Sequence, residues 1–209
     1  MKRIFVTGIG TDIGKTIASA ILVETLKADY WKPVQAGDLE NTDTLKVKSL
    51  ISNSQTIFHP ESFMLSKPMS PHAAAAYDNI EIKESDISPP KQTKTLIIEG
   101  AGGLLVPLNK KFLMIDLIQQ LKAEVVLVSK NYLGSINHTL LSAEALKNRN
   151  IPIKGIIFNG SPVNTTETFI CEYTGLNFLF RIDNEEIIDK QTILKYASKP
   201  NIKSLVHTF

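Results

Sequence analysis

The chain has 209 residues, of which 43% are hydrophobic and 21% are charged, and its formal net charge is +2. This length and hydrophobic content predict one sizeable α/β domain, residues 1–209, with a buried core. The near-neutral charge, with no lysine or arginine run longer than a pair, argues against a nucleic-acid partner and a membrane surface, and the single cysteine, Cys171, excludes an intrachain disulfide.

The N-terminal residues, MKRIFVTG, pass directly into a strand pattern without the apolar region of a signal peptide, which predicts a cytoplasmic protein. From there, short apolar runs alternate with helical patterns. Strand patterns cover residues 3–7, 30–34, 95–99, 124–129, 153–158 and 177–180. Helical patterns cover residues 15–28, 42–51, 71–77, 114–121, 135–148 and 165–173. The alternation predicts an α/β fold with a single-domain, doubly wound, mostly parallel sheet and helices on both faces, which binds ligands at the carboxyl ends of its strands.

The first turn of this pattern, GIGTDIGKT at residues 8–16, lies between a strand and a helix. It departs from the usual phosphate-loop spacing G-x-x-x-x-G-K-[ST] because Ile9 stands where the first glycine belongs. Backbone N–H groups and a helix N-terminus would still meet at one point, as a di- or triphosphate requires. Lys15 would then reach the outer phosphates, and the Thr16 hydroxyl would bind Mg²⁺. The alternative is a glycine-rich turn with a solvated lysine, which the flanking strand and helix disfavour.

Two acidic residues follow strand patterns at the same predicted edge. Glu99 closes the pattern at residues 95–99 and is followed by a glycine-rich, N–H-rich loop at residues 100–103. Asp43, in ENTDTLKV, begins a helical pattern after the second strand, where an acid alone would be interpreted as a helix cap or first-turn charge. Mg²⁺ favours one or two carboxylates together with phosphate oxygens and water, so the pair predicts a magnesium site.

A lysine adds a cation at this edge. Lys32, in WKPVQAG, ends the second strand pattern and suits an anionic substrate group or the charge that develops on a transferred phosphoryl group. Alone it would be a surface lysine. Together with Lys15 and the two acids it indicates a second substrate beside the nucleotide.

Seven segments, taken together, resemble the dethiobiotin synthetase family of P-loop NTPases. They are VTGIGTDIGKT, WKPVQAG, NTDTL, SPHAAA, IIEGAGGLLVPL, LGSINHTLLSAEAL and GIIFNG. They follow the order of that family across about three quarters of the chain. The family's phosphate loop has the same long spacing before Gly-Lys-Thr, so the departure noted above supports the resemblance.

The resemblance implies an ATP-dependent ring closure in which 7,8-diaminopelargonic acid, CO₂ and ATP give dethiobiotin, ADP and phosphate. A substrate amine captures CO₂ as a carbamate, ATP phosphorylates the carbamate, and the second amine displaces phosphate. It also implies Mg²⁺, ATP as co-substrate, CO₂ or bicarbonate as carbon source, and a homodimer.

The resemblance assigns site residues by motif. Lys15 and Lys32 are the catalytic cations, and Thr16, Asp43 and Glu99 hold the metal. The nucleotide is bound by Asp12, Ile13, Gly14, Lys15, Thr16, Ile17, Asp43, Glu99, Gly100, Ala101, Gly102, Asn159 and Gly160. The substrate is bound by Thr11, Lys32, Gly134, Ser135 and Asn137.

The segment YLGSINHTLL predicts how the substrate carboxylate is held. Gly134 and Ser135 precede a long amphipathic helix pattern whose free N–H groups form an anion site. In the family the extended substrate reaches the other subunit of a dimer, so Ser135, Ile136 and Asn137 of one chain would meet the carboxylate bound by the other. The alternative is that Ser135 caps its helix and the carboxylate site lies within one chain.

One departure and two other classes of protein bear on the interpretation. Ala36 stands where the family often has a hydroxyl residue. A P-loop ATPase switch protein, which acts through partner association, is the main alternative; many such proteins carry an additional lysine near the start of the loop, and residues 8–11 contain none. An amide-forming ligase would need a further catalytic domain, for which 209 residues leave no room.

Overall fold

A computed structural model describes residues 2–91 and 93–205, and seven of its strands form one parallel sheet. The strands are β1 (Arg3–Gly8), β2 (Asp29–Trp31), β3 (Val34–Ala36), β4 (Phe58–His59), β5 (Phe63–Leu65), β6 (Leu96–Gly103), β7 (Glu124–Lys130), β8 (Ile153–Asn159) and β9 (Phe178–Ile182). The order across the large sheet is β4-β2-β6-β1-β7-β8-β9, and β3 pairs with β5 in a separate parallel ribbon. The predicted parallel architecture is confirmed.

Helices cover both faces of the sheet. They are α1 (Lys15–Leu26), α2 (Asp43–Leu50), α3 (Pro71–Tyr77), α4 (Met114–Gln120), α5 (Ser135–Asn148), α6 (Asn164–Thr174), α7 (Lys190–Ala197) and α8 (Pro200–Lys203), with a 3₁₀ turn at Glu84–Asp86. Along β1, Ile4 and Val6 pack in a core shared with α1, α2, α7 and α8, whereas Phe5 packs in a second core with α3 and α4. Because successive strand side chains point to opposite faces, one buried strand supplies both cores.

The structure corrects several predicted boundaries. Helix α1 ends at Leu26 instead of residue 28, because Lys27 adopts a left-handed conformation with φ of 49°. The strand predicted at residues 30–34 is two strands, β2 and β3, separated at Pro33, which has no N–H to donate to a sheet. The glycine-rich segment at residues 100–103, predicted as a loop, belongs to β6.

Candidate active site

The loop between β1 and α1 is shaped by backbone conformations that its sequence supports. Gly14 has φ of 95° and directly precedes α1, and Asp12 also has a positive φ. A Cβ atom at Gly14 would lie 2.4 Å from Asn159 Nδ2, so no larger residue fits there. Asn159, at the end of β8, donates from the same Nδ2 atom to the carbonyl of Ile13 at 3.0 Å. This bond joins the loop that follows β1 to the end of β8.

Lys15 is folded back over its own loop. Its Nζ atom donates to the carbonyl of Gly10 at 2.9 Å, and the residue is buried. Burial, together with the nearby ammonium of Lys32, lowers the pKa of Lys15 to about 8, against the opposing effect of the neighbouring carboxylates. The lysine is therefore held at the loop, where phosphate oxygens would meet it.

Three oxygen-bearing side chains converge next to this lysine. Thr16 Oγ1 donates to Glu99 Oε1 at 2.9 Å and lies 3.2 Å from Asp43 Oδ1. Asp43 is the first residue of α2, which Thr42 caps, and Glu99 lies within β6 with only 1% exposure. Thus Asp43 is both a first-turn acid and a member of the cluster.

The same three residues offer the oxygen donors that a hard cation prefers. Within the described residues, no three His, Cys, Asp or Glu side chains come together as a metal-binding group. Mg²⁺ does not require such a group, since it commonly takes one or two carboxylates and completes its shell with phosphate oxygens and water. The hydroxyl and carboxylate oxygens of Thr16, Asp43 and Glu99 fit that requirement.

Lys32 directly follows β2 and reaches the same carboxylates. Its Nζ atom is 2.6 Å from Asp43 Oδ2 and 3.3 Å from Glu99 Oε1, and it donates to the carbonyl of Gly100 at 3.0 Å. Burial acts to lower the pKa of Lys32, but the charges of Glu99 and Asp43 outweigh it and raise the pKa above its ordinary value. The ammonium is thus a fully buried cation between two acids.

Two further side chains, which were not predicted from the sequence, support the carboxylates of this cluster. Tyr30 Oη donates to Glu99 Oε2 at 2.9 Å, and burial with this carboxylate nearby raises the pKa of the tyrosine. Gln35 accepts from the backbone N–H of Asp43 at 3.3 Å and donates to the carbonyl of Gly37 at 2.9 Å. Tyr30 precedes Lys32 by two residues, and this spacing was the available signal, because alternate positions of an extended chain share a face.

A cleft of about 810 Å³ lies over this cluster. Its lining includes the predicted residues Thr11, Asp12, Ile13, Gly14, Lys15, Thr16, Ile17, Lys32, Asp43, Glu99, Ala101, Gly102 and Asn159. It also includes residues that were not predicted as ligands, namely Val34, Gln35, Ala36, Asp38, Lys46, Pro68, Met69, Ser70, Pro71 and Val106. Gly100 and Gly160 are not in this lining; the carbonyl of Gly100 accepts from Lys32, and that of Gly160 accepts from Arg181.

The predicted carboxylate-binding residues lie outside the cleft lining. Gly134, with φ of 101°, is the cap of α5, and Ser135 is its first helical residue and is buried. The interpretation of Ser135 as the cap is therefore wrong. Asn137 is exposed, and the side chain of Leu133, directly before the helix, is fully exposed. Part of the predicted substrate site is thus separate from the cleft in the single chain.

Comparison with solved structures identifies the fold. The septum site-determining protein MinD from Pyrococcus horikoshii, complexed with Mg-ADP, superposes with a TM-score of 0.65 at 14% identity, over 99% of this chain and 93% of that chain. A ParA family ATPase from Chlorobium tepidum gives a TM-score of 0.59 at 16% identity, over 99% and 97% of the two chains. At these identities the likeness concerns the fold alone, and it confirms the predicted α/β fold with a mostly parallel sheet.

Sequence comparison is more specific. Residues 2–192 match the family model described as an AAA domain. The ATP-dependent dethiobiotin synthetase BioD of Christiangramia forsetii is 52% identical over 198 residues, 95% of each chain. That of Cytophaga hutchinsonii is 51% identical over 200 residues, 95% of this chain and 97% of the relative.

Among the described residues, none of the helices is long and apolar enough to span a membrane.

Proposed function

The chain belongs to the ATP-dependent dethiobiotin synthetase family, and we propose that the cleft above Lys15, Thr16, Lys32, Asp43 and Glu99 is where it carries out the reaction of that family. It is an ATP-dependent enzyme that forms dethiobiotin, a step of biotin biosynthesis. The substrates are 7,8-diaminopelargonic acid, CO₂ or bicarbonate and ATP, and the products are dethiobiotin, ADP and phosphate. The observation that carries the assignment is the convergence of two lysines, a hydroxyl and two carboxylates at one edge of the sheet.

The lysines supply the charge that the reaction needs. A carbamate and a triphosphate are both anions, so bringing the carbamate oxygen to the γ-phosphorus brings negative charges together. Lys15 and Lys32 both line the cleft, as Thr16 does, and offset that repulsion. Because both ammonium groups are largely shielded from solvent, their effect on the phosphoryl oxygens is stronger than at an exposed site.

The metal is assigned to Thr16, Asp43 and Glu99. When bound, Mg²⁺ neutralises phosphate charge and orients the transferred group. The protein contributes the fixed positions of three oxygen donors. Tyr30 holds Glu99 by donating to its carboxylate, and Gln35 holds Asp43 by accepting from its backbone N–H. The ring closure itself needs no covalent group from the protein, because the second amine attacks the acyl phosphate directly.

The nucleotide is assigned to the loop at residues 12–17 and to Asn159. The bond from Asn159 to Ile13 and the close approach of Gly14 support a base and phosphate site that share one rigid edge. Ala101 and Gly102 line the cleft from β6 and are also assigned to the nucleotide. Gly100 and Gly160 have the same assignment, although they lie outside the cleft lining. Thr11, which is assigned to the substrate, lines the same cleft.

We further propose a homodimer in which Gly134, Ser135 and Asn137 of one chain bind the carboxylate of a substrate whose amines lie in the cleft of the other. The support is that these residues lie outside the cleft lining of their own chain, although they begin a helix of 14 residues. The N–H of Ser135 donates to the carbonyl of Tyr132 at 2.9 Å, which leaves the next N–H groups of the first turn for an anion. The fully exposed Leu133 beside them also suits a surface that a second subunit covers. An isologous pairing would create two equivalent shared sites.

The reaction is tested by incubating the protein with 7,8-diaminopelargonic acid, ¹³C-bicarbonate and MgATP. The expected product is dethiobiotin one mass unit heavier than from unlabelled bicarbonate, together with one ADP per product. A Lys15→Ala protein serves as the control for background cyclisation. ATP hydrolysis without labelled dethiobiotin would favour the switch-protein alternative, which the relatives at 51% and 52% identity do not support.

A further inference from the structure

Lys32 engages the same two carboxylates that the proposed function assigns to the divalent cation. Its Nζ atom is 2.6 Å from Asp43 Oδ2 and 3.3 Å from Glu99 Oε1. Thr16 Oγ1 bonds to that same Glu99 oxygen at 2.9 Å and to the other Asp43 oxygen at 3.2 Å. One carboxylate oxygen therefore serves both the ammonium and the hydroxyl of the metal-binding set.

The surroundings make it unfavourable for both cations to share these carboxylates. The side chain of Lys32 is 3% exposed and that of Glu99 is 1% exposed, so solvent screens little of the repulsion between two nearby positive charges. Two carboxylates balance a divalent cation alone, whereas an added ammonium would leave excess positive charge in a buried site. Without phosphate or carbamate anions in the cleft, either the ammonium or the divalent cation can be accommodated there, but not both.

Lysine is suited to leave such a site. Its charge sits at the end of a flexible four-carbon stem, and the bonds that hold it, to Asp43, Glu99 and the carbonyl of Gly100, all end on that one nitrogen. Lys32 also forms part of the cleft lining, together with Lys15 and Thr11. A rotation of the stem would move the ammonium from the carboxylates into the space assigned to the reacting anions.

On the basis of the proposed function, we propose that Lys32 is an exchangeable counter-ion: it holds Asp43 and Glu99 together before the metal binds, and the metal releases it into the cleft. The chemistry is a swap of one cation for another at fixed carboxylates. Its consequence is an order of events, because Lys32 becomes available to the carbamate and phosphoryl oxygens only after the metal is in place. Lys32 is then a positioning element for the metal site as well as a catalytic cation.

The first test measures metal binding alone, without nucleotide or substrate. Mn²⁺ affinity is determined by electron paramagnetic resonance for the wild type, Lys32→Met and a matched variant, Lys46→Met. Lys46 pairs with Asp38 at 2.7 Å, acts on Asp43 only through space, and is partly exposed. We expect Lys32→Met to bind Mn²⁺ about tenfold more tightly, since it removes a like charge from a poorly screened site. Lys46→Met should change the affinity by less than about threefold. Unchanged or weaker binding in Lys32→Met, or equal shifts in both variants, would overturn the exchange.

The second test uses the wild-type protein and stays decisive if Lys32→Met does not fold. Lysines are acetylated briefly with and without saturating Mg²⁺, and the modified positions are read by mass spectrometry. Lys32 should react slowly without Mg²⁺ and several-fold faster with it, whereas Lys48, which is exposed on α2 and outside the cleft lining, should react equally in both. Equal protection of Lys32 in the two conditions would contradict its release. Neither test uses turnover, so a failed exchange with normal dethiobiotin formation, and a valid exchange without dethiobiotin, are distinguishable results.

Discussion

The strand-end cluster and the start of α5 differ in how much of their function one chain can supply. In the cluster, Lys15, Lys32 and Glu99 are all buried and contact the loop, the metal-binding oxygens or each other. At α5, Gly134 and Asn137 are exposed and lie outside the cleft lining, and Leu133 is fully exposed. The comparison teaches that one chain already gathers the charged groups of the cleft, whereas the residues proposed to bind the distal carboxylate lie on an exposed surface, which is why we propose that a second chain meets them there.

The largest effect should come from removing the phosphate and metal contacts of the loop. Lys15→Ala and Thr16→Val should each lower ATP turnover by roughly 10³-fold, because each removes a group aimed at charge that develops in the transition state. The fold should be unaffected, as judged by circular dichroism and thermal unfolding. Lys48→Ala, at an exposed position of α2, is the matched control and should retain turnover. Near-normal turnover in both loop variants would remove this region from catalysis.

The second effect separates the two lysines of the cluster. Lys32→Gln should lower kcat for dethiobiotin by roughly 10²-fold, because its assigned partners are the carbamate and the transferred phosphoryl group. Its effect on ATP affinity, measured by calorimetry, should be much smaller than that of Lys15→Ala. A loss of ATP affinity as large as the loss of kcat would instead make Lys32 a nucleotide anchor.

The third effect concerns Asp43 and Glu99, the acids proposed to bind the metal. Asp43→Asn and Glu99→Gln each remove a negative charge from a hard-cation site, so the Mg²⁺ concentration for half-maximal activity should rise by about tenfold. Glu99→Gln should have the larger effect, since Glu99 receives a bond from Tyr30 in addition to the contacts with Lys32 and Thr16 that both acids make. An Mg²⁺ titration that matches the wild type in both variants would contradict the assignment.

The smallest effect is a pH dependence of ATP binding. The pKa of Lys15 is lowered from 10.5 to about 8, so the ammonium that meets phosphate is lost as the pH rises through 8. Between pH 7 and 9 its protonated fraction falls from about nine-tenths to about one-tenth, and the KM for ATP should rise several-fold. The stability of the protein should change in the opposite sense to its affinity for ATP. Between pH 8 and 10.5 the unfolded chain binds more protons at Lys15 than the folded chain does, so the contribution of Lys15 to the free energy of unfolding rises with pH. Lys15→Arg stays protonated and should lose the pH dependence of ATP binding; an unchanged dependence would assign it to another group.

The sequence predicted the cluster because its residues are tied to strand ends and helix starts. Lys15, Thr16, Asp43 and Lys32 each lie within one residue of such a boundary, and parallel strands bring those boundaries to one edge. Glu99 was predicted as a strand end, but β6 continues to Gly103, so the structure places this acid in the cluster although the predicted boundary was wrong.

Other features had no local signal. The strands β4 and β5, of two and three residues, are too short to show a period, and helices α7 and α8 lie where the sequence pattern was not recognised. Gln35 supports Asp43 through a contact between residues eight positions apart, which depends on the path of the chain after Pro33. The cytoplasmic location, the extent of the domain over residues 1–209 and the dimer stay predictions from the sequence.

The measurement that most directly tests the division between the two regions is subunit complementation. Lys15→Ala should inactivate the cleft, and a bulky residue at Gly134, such as Gly134→Trp, should block the proposed carboxylate surface, because Gly134 has φ of 101° and caps α5. Each variant alone should be inactive. If the sites are shared between chains, mixing the two under conditions of subunit exchange should restore dethiobiotin formation to about one quarter of the wild-type rate, since random pairing makes half of the dimers mixed and each mixed dimer has one intact site. No recovery, with exchange proven by mass spectrometry of the mixed dimers, would show that each chain binds its substrate alone.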